Sequence, residues 1–81
     1  MAPEITIRQA TSADAFALRR LAALDDAPAL RGEVLLAEHA GDVRAALSLE
    51  NGRSIANPFA PTAKLVDMLR VHSAYAGTIA A

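Results

Sequence analysis

Residues 34–56 read VLLAEHAGDVRAALSLENGRSIA, which is three apolar segments separated by two turn signals. The first signal is the tetrapeptide at 39–42. The second is Asn51-Gly52, the dipeptide that most strongly favours a tight hairpin, because both residues tolerate the positive φ of a type I′ turn. The stretch therefore predicts an antiparallel meander with strands at 34–38, 43–50 and 53–56. In the middle strand, alternation places four apolar side chains on one face: Val43, Ala45, Leu47 and Leu49.

A further strand and a helix precede this meander. The segment Ile5-Thr6-Ile7-Arg8 alternates apolar and polar residues, which predicts a strand at 5–8 with both isoleucines on its buried face. Thr11 and Asp14 have the spacing of a capping box, so a helix is expected at 12–24. It should stop before Asp25-Asp26, because carboxylates are unfavourable at the negative end of the helix dipole. Its apolar stripe consists of Ala15, Leu18, Leu21 and Ala22.

A second helix follows the meander. The loop between them contains Pro58 and Pro61, and Thr62 is a suitable N-cap for a helix at 62–76. Gly77 is a natural residue to end this helix, because glycine readily adopts the left-handed conformation, and 78–81 would form a short tail. The apolar stripe of the helix contains Leu65, Leu69, His72 and Ala76, and is widened by Val66 and Met68.

The element order β-α-β-β-β-α predicts an α+β fold in a single domain, residues 1–81: a four-stranded, mainly antiparallel sheet with two packed helices. The chain has no cysteine, which excludes disulfides and thiolate metal sites. Its two histidines, His39 and His72, lie far apart in sequence, so no metal site is expected.

The charge and hydropathy of the chain favour a protein that works in the cytoplasm. A net charge of −1 argues against a general affinity for nucleic acid or for an anionic membrane, so neither is an expected partner. No apolar run approaches the roughly 20 residues needed to span a bilayer. The N-terminal segment also lacks the basic and apolar regions of a signal peptide, so a cytoplasmic location is expected.

Three segments resemble those of a known enzyme family. The opening ITIRQATSADA, residues 5–15, is similar to the first strand and helix of the GNAT acetyltransferases, whose pattern is I-R-x-A-T-x-x-D-A. The segments at 34–38 and 41–49 resemble the second and third strands of that family. Together these segments identify residues 5–56 as similar to the N-terminal half of a GNAT domain. The resemblance implies the corresponding half-fold and, as an expectation only, a relation to N-acetyltransferases.

The chain departs from the GNAT pattern after the fourth strand. There the family has Q/R-x-x-G-x-G/A, a glycine-containing loop that binds the pyrophosphate of acetyl-CoA at a helix N-terminus. The matching stretch here, 57–63, has no glycine, and Pro58 and Pro61 each lack an N–H donor. The resemblance therefore assigns neither a catalytic residue nor a cofactor-binding residue in this chain. No bound cofactor is expected, and acetyl-CoA is the alternative that the resemblance leaves.

Five residues have both a functional and a structural interpretation. Thr62 and Ala63 could bind an anion at the helix N-terminus, or simply begin the helix. Glu38 and His39 could form an acid–base pair, but neighbours on a strand point to opposite faces, which favours two surface residues. His72 could be a switch or a ligand, whereas its place on the apolar stripe predicts a partly buried histidine.

Six residues are candidates for contact with another protein. The strand at 53–56 is the last in the predicted sheet, and an unpaired edge invites pairing with another chain. Phe59 would either pack into the core, the interpretation that the usual burial of aromatics favours, or anchor a partner. The candidates are Arg53, Ser54 and Ile55 on the edge strand, Phe59 in the loop, and Met68 and Tyr75 on the second helix.

The sequence leaves two hypotheses about function. The first is a non-catalytic GNAT-like domain that acts by association, as a homodimer or with a partner subunit, and it is favoured by the missing cofactor loop and the open edge. The second is an acyl-CoA-dependent N-acetyltransferase, or a subunit of one, with an atypical cofactor site. Only the resemblance motivates it.

Overall fold

The computed structural model describes residues 4–59 and 61–80, and the side chains of these residues except for 75–80. It contains four strands: β1 (Ile5–Gln9), β2 (Val34–His39), β3 (Asp42–Ser48) and β4 (Ser54–Ala56). A 3₁₀ turn (Ser12–Asp14) leads into helix α1 (Ala15–Leu24), and helix α2 (Ala63–Ala80) follows β4. The predicted α+β fold is confirmed. None of the helices in the described part of the chain is both long enough and apolar enough to cross a bilayer.

All four strands are antiparallel and lie in the order β1-β2-β3-β4. Because side chains alternate along a strand, paired residues on neighbouring strands form rows whose side chains lie on the same face of the sheet. One row, with Leu36, Ala46 and Ile55, belongs to the core cluster that contains Leu21 and Ala22 of α1. The sheet is therefore covered by α1 on this face.

The opposite face of the sheet is covered by α2. Its central row consists of Ala37, Ala45 and Ala56, three small residues side by side on β2, β3 and β4. Leu65 and Leu69 of α2 pack against this row. A row of alanines allows the helix to approach closely, and Leu69 is completely buried there. The molecule thus has three layers, with the sheet between the two helices.

The β2–β3 hairpin contains an irregularity that changes the face of Val43. The register shifts between Ala37 and Glu38, so that Ala37 pairs with Ala45 but Glu38 pairs with Val43, and Arg44 has no partner residue. Such a bulge reverses the alternation beyond it. Val43 therefore packs on the α1 side, and its predicted position on one face with Ala45 and Leu47 is wrong. Leu49 lies outside β3.

The predicted type I′ turn at Asn51-Gly52 is also wrong. Ser48 and Arg53 are hydrogen-bonded across a four-residue loop, of which only Gly52 has a positive φ, at 75°. The buried hydroxyl of Ser48 accepts hydrogen bonds from the N–H groups of Glu50 and Asn51, at 3.2 and 3.4 Å. These bonds stabilise the wider loop.

The turn with two positive φ angles is at Ala40-Gly41, in the β2–β3 hairpin, where φ is 53° and 87°. Alanine is strained in this conformation because its Cβ approaches the following carbonyl oxygen. We expect Ala40→Asn, which creates the preferred Asn-Gly pair, to raise the free energy of unfolding by about 1 kcal/mol. Ala40→Val should lower it, because β-branched residues disfavour positive φ. Urea denaturation of the two variants measures both changes, and a stabilising Ala40→Val would contradict the turn assignment.

The second helix differs from prediction at its end, and three side chains differ from prediction in their burial. The helix that was expected to end at 76 continues through Gly77 to Ala80. Ala15 is exposed on α1, and Ile5 is 43% exposed on β1, although both were predicted to face the core. His72 was predicted on the apolar stripe of the second helix but is exposed. Among the described side chains, the buried part of that stripe therefore lies in the first half of the helix.

Candidate functional site

An ionic cluster connects the end of β1 to the start of the first helix. The Arg8 guanidinium donates two hydrogen bonds to the Asp14 carboxylate, at 2.8 and 2.9 Å, and its Nε donates to Glu38 at 2.6 Å. Asp14 also accepts the N–H of Thr11 at 2.7 Å, which is the acid half of the predicted capping box. The side chains of Asp14 and Glu38 are only 10% and 19% exposed, so Glu38 is not the surface residue that was expected.

The cluster shifts the pKa values of Asp14 and Arg8 so that each group keeps its charge. The Arg8 guanidinium, followed by the Thr11 N–H, holds the pKa of Asp14 well below its usual value. The two carboxylates, Asp14 first, raise the pKa of Arg8. Both groups are therefore firmly charged at neutral pH. A pair of permanently charged groups suits a structural role and lacks a proton to exchange in general acid–base catalysis.

The lowered pKa of Asp14 predicts that the folded protein loses stability in acid. A carboxylate with a depressed folded pKa contributes stability above its unfolded pKa, and the contribution is lost as the pH falls through the folded value. The stability difference between the wild type and Asp14→Asn should be present at neutral pH and shrink below about pH 4. Denaturant unfolding at several pH values measures it. Asp42→Asn is the control, because that carboxylate is 76% exposed and lies 3.5 Å from Arg44. A difference for Asp14→Asn that stays constant into acid would contradict the cluster.

The cluster forms one wall of a cavity of about 450 Å³ between α1 and the sheet. The opposite wall carries Phe16, which is 71% exposed, and Arg20 and Leu24 of α1. Cations and carboxylates are mixed in its lining, which gives the cavity no marked preference for one charge. No group of three or more His, Asp or Glu side chains that could hold a metal ion occurs in the described part of the chain.

A second cavity, of about 290 Å³, lies on the α2 side of the sheet. Its lining includes Ile5 of β1, His39 and Arg44 of the β2–β3 hairpin, and Thr62 and Lys64 at the start of α2. The structure thus brings His39 and Thr62, two of the residues considered separately in the sequence, to one cavity. It does not bring His39 to Glu38, which faces the α1 side, and Ala63 does not line the cavity.

The edge of β4 is less open than the sequence suggested. The N–H of Asn57 donates to the carbonyl of Arg44, and the carbonyl of Arg53 accepts the N–H of Ser48. Because backbone groups alternate in direction along a strand, those of Ser54 and Ala56 point away from β3. The Asp25 carboxylate, from the end of α1, accepts the N–H of Ala56 at 3.1 Å. Arg70 of α2 donates to the Gly52 carbonyl and to the Ser54 hydroxyl, at 3.2 and 3.4 Å. A partner strand would have to displace Asp25.

The six association candidates separate into buried and exposed residues. Ile55 is only 2% exposed and belongs to the α1-side core, so its side chain is not available for contact in the single chain, while Arg53 is exposed and Ser54 half-buried. Phe59 is 83% exposed, which corrects the prediction that it packs into the core. Met68 is 37% exposed. The side chain of Tyr75 lies outside the described residues.

Sequence reasoning missed Arg8, Asp25 and Val71 among the residues that organise these sites. Arg8 pairs with Glu38, a residue 30 positions away, and Asp25 was interpreted only as a helix end. Val71, which is 68% exposed on α2, was not singled out. Its helical spacing of three residues from Met68 is the signal that could have found it.

Comparisons of this chain with protein-family models, with curated proteins and with solved structures gave no match.

Proposed function

We propose that this chain is a non-catalytic, GNAT-like domain that acts by association, pairing with a second copy of itself through the outer face of α2. The observation that carries the proposal is the change in burial along this helix. Leu65 and Leu69 are buried against the sheet, whereas no described side chain from 70 to 74 is buried. The burial of α2 against the sheet thus ends, among its described side chains, at Leu69.

The outer face of α2, defined here by Met68 and Val71, is apolar at its centre. The two residues are three positions apart and therefore neighbours on the helix surface. Val71 is 68% exposed and Met68 is 37% exposed. Burying such side chains in an interface removes apolar surface from water at roughly 25 cal/mol per Å².

A second copy is the partner that the polar groups of this face fit. In an antiparallel pair of α2 helices with a two-fold axis midway between Met68 and Val71, each Met68 opposes the other copy's Val71. The same symmetry places each Asp67 opposite the other copy's His72, so a carboxylate faces an imidazole, which can donate a hydrogen bond to it, at both ends. A two-fold interface must be complementary to itself, and this arrangement meets that requirement.

The edge of β4 supports association less well than α2 does. Its outward donor at Ala56 is already bound by Asp25, and Arg70 binds the Ser54 hydroxyl. Natural sheets protect their edges with charged side chains in this way. The α2 face therefore takes precedence over Arg53 and Ser54 in the proposal.

Sedimentation equilibrium over a wide range of protein concentration tests the proposal. The mass should rise from that of the 8.5 kDa chain towards twice that value as the concentration increases. A mass that stays at 8.5 kDa at every concentration would rule out self-association.

A further inference from the structure

We propose that the cavity between β1, the β2–β3 hairpin and the start of α2 binds a small organic phosphate. The cavity measures about 290 Å³, and three of its lining residues carry basic side chains, namely His39, Arg44 and Lys64. No carboxylate lines it among the described residues. In a chain whose overall charge is −1, Arg44 and Lys64 are a local concentration of positive charge.

Arg44 is the residue whose hydrogen bonding points to a missing acceptor. It occupies the bulge of β3, where no residue of β2 pairs with it. Its Nε is buried and has no hydrogen-bond partner among the described residues. Among the described residues, its ion pair is with the exposed Asp42 carboxylate, at 3.5 Å. A buried donor without an acceptor is costly. The Arg44 side chain as a whole is 30% exposed, so its charged end can meet an anion in the cavity that it lines.

The donors come from separate elements and can surround one anion. Arg44 and His39 belong to the hairpin, whereas Lys64 and the hydroxyl of Thr62 come from the start of α2. A phosphate group presents several strong acceptor oxygens and a double charge, which suits several donors converging from two sides. The inference rests on these side chains, and Ala63 takes no part in it.

The remaining lining explains why the phosphate would be an organic one. Ile5 is 43% exposed, and it lines the same cavity as Leu65 and Pro61. A purely inorganic ion would leave these apolar walls in contact with water. A ligand that joins an apolar group to a phosphate would cover them, which is the usual composition of a small-molecule site.

The cavity is separate from both surfaces considered for association. It is lined by β1, which lies at the opposite edge of the sheet from β4. It also lies beneath the first turn of α2, whereas Met68 and Val71 are not among its lining residues. Phosphate binding and self-association can therefore succeed or fail independently.

The test is a ¹⁵N NMR titration at low salt with phenyl phosphate and, separately, with inorganic phosphate. Phenyl phosphate should shift the amides of 39–44 and 62–65, and should bind more tightly than inorganic phosphate. Arg44→Gln and Lys64→Gln should each weaken binding by about tenfold or more, because each removes a charged hydrogen-bond donor. Lys64 is exposed, so its variant decides the question if Arg44→Gln does not fold.

Arg53→Gln is the matched control, because Arg53 is an exposed arginine that does not line the cavity. It should leave the affinity unchanged. An equal loss in Arg53→Gln, or no shifts at 39–44 and 62–65 in the wild type, would overturn the site. Equal affinities for the two phosphates would overturn the organic part of the inference.

Discussion

Leu69→Ala should destabilise the domain by about 2–5 kcal/mol, because it removes a completely buried side chain and leaves a cavity against the alanine row of the sheet. A domain of 81 residues has a total stability of only roughly 4–12 kcal/mol, so the loss is a large fraction of the total. Ala37 and Ala45 cannot fill the cavity left by Leu69, because their methyl groups are too short to extend into it. Urea denaturation followed by circular dichroism measures the loss.

Met68→Ala is the control for this prediction, since Met68 precedes Leu69 on the same helix and is 37% exposed. It should cost less than about 1 kcal/mol, the usual range for side chains that retain solvent contact. Similar losses for the two variants would show that α2 is rotated relative to the sheet, and both the core and the proposed outer face would then be misplaced.

Val71→Glu should weaken self-association by about a hundredfold or more, because an unpaired charge would be buried in the interface of each copy. Folding should be nearly unaffected, since Val71 is 68% exposed in the single chain. Sedimentation equilibrium measures the association, and the same denaturation experiment measures the folding.

Ala23→Glu provides the matched control for Val71→Glu, because it adds the same charge at an exposed position on α1. It should dimerise like the wild type. If both variants lose association equally, the effect would come from net charge, and the α2 face would not be the interface.

Local sequence patterns predicted the order of the elements well. The apolar segments of 34–56 lie in three antiparallel strands, and the spacing of Thr11 and Asp14 marks the start of the first helical segment. These predictions succeed because periodicity, turn signals and capping depend on residues that are close in sequence. The same holds for Leu65 and Leu69, which have helical spacing and are both buried.

The predictions that failed depend on contacts between distant segments. Val43 changes face because of a bulge that single-strand alternation does not reveal, and the Asn-Gly signal is outweighed by the hydrogen bonds of Ser48. Composition favoured a buried Phe59, but both sheet faces are already covered by helices. The basic lining of the second cavity joins residues from the hairpin and from α2, and nothing in either segment alone points to the other.

The most direct test of the proposed association is a series of ¹⁵N NMR spectra recorded as the protein is diluted. The account predicts that amide shifts within 64–74 change with concentration, while those of 53–57, on the β4 edge, stay constant. Concentration-dependent shifts at 53–57, or shifts that are constant throughout the chain, would contradict it.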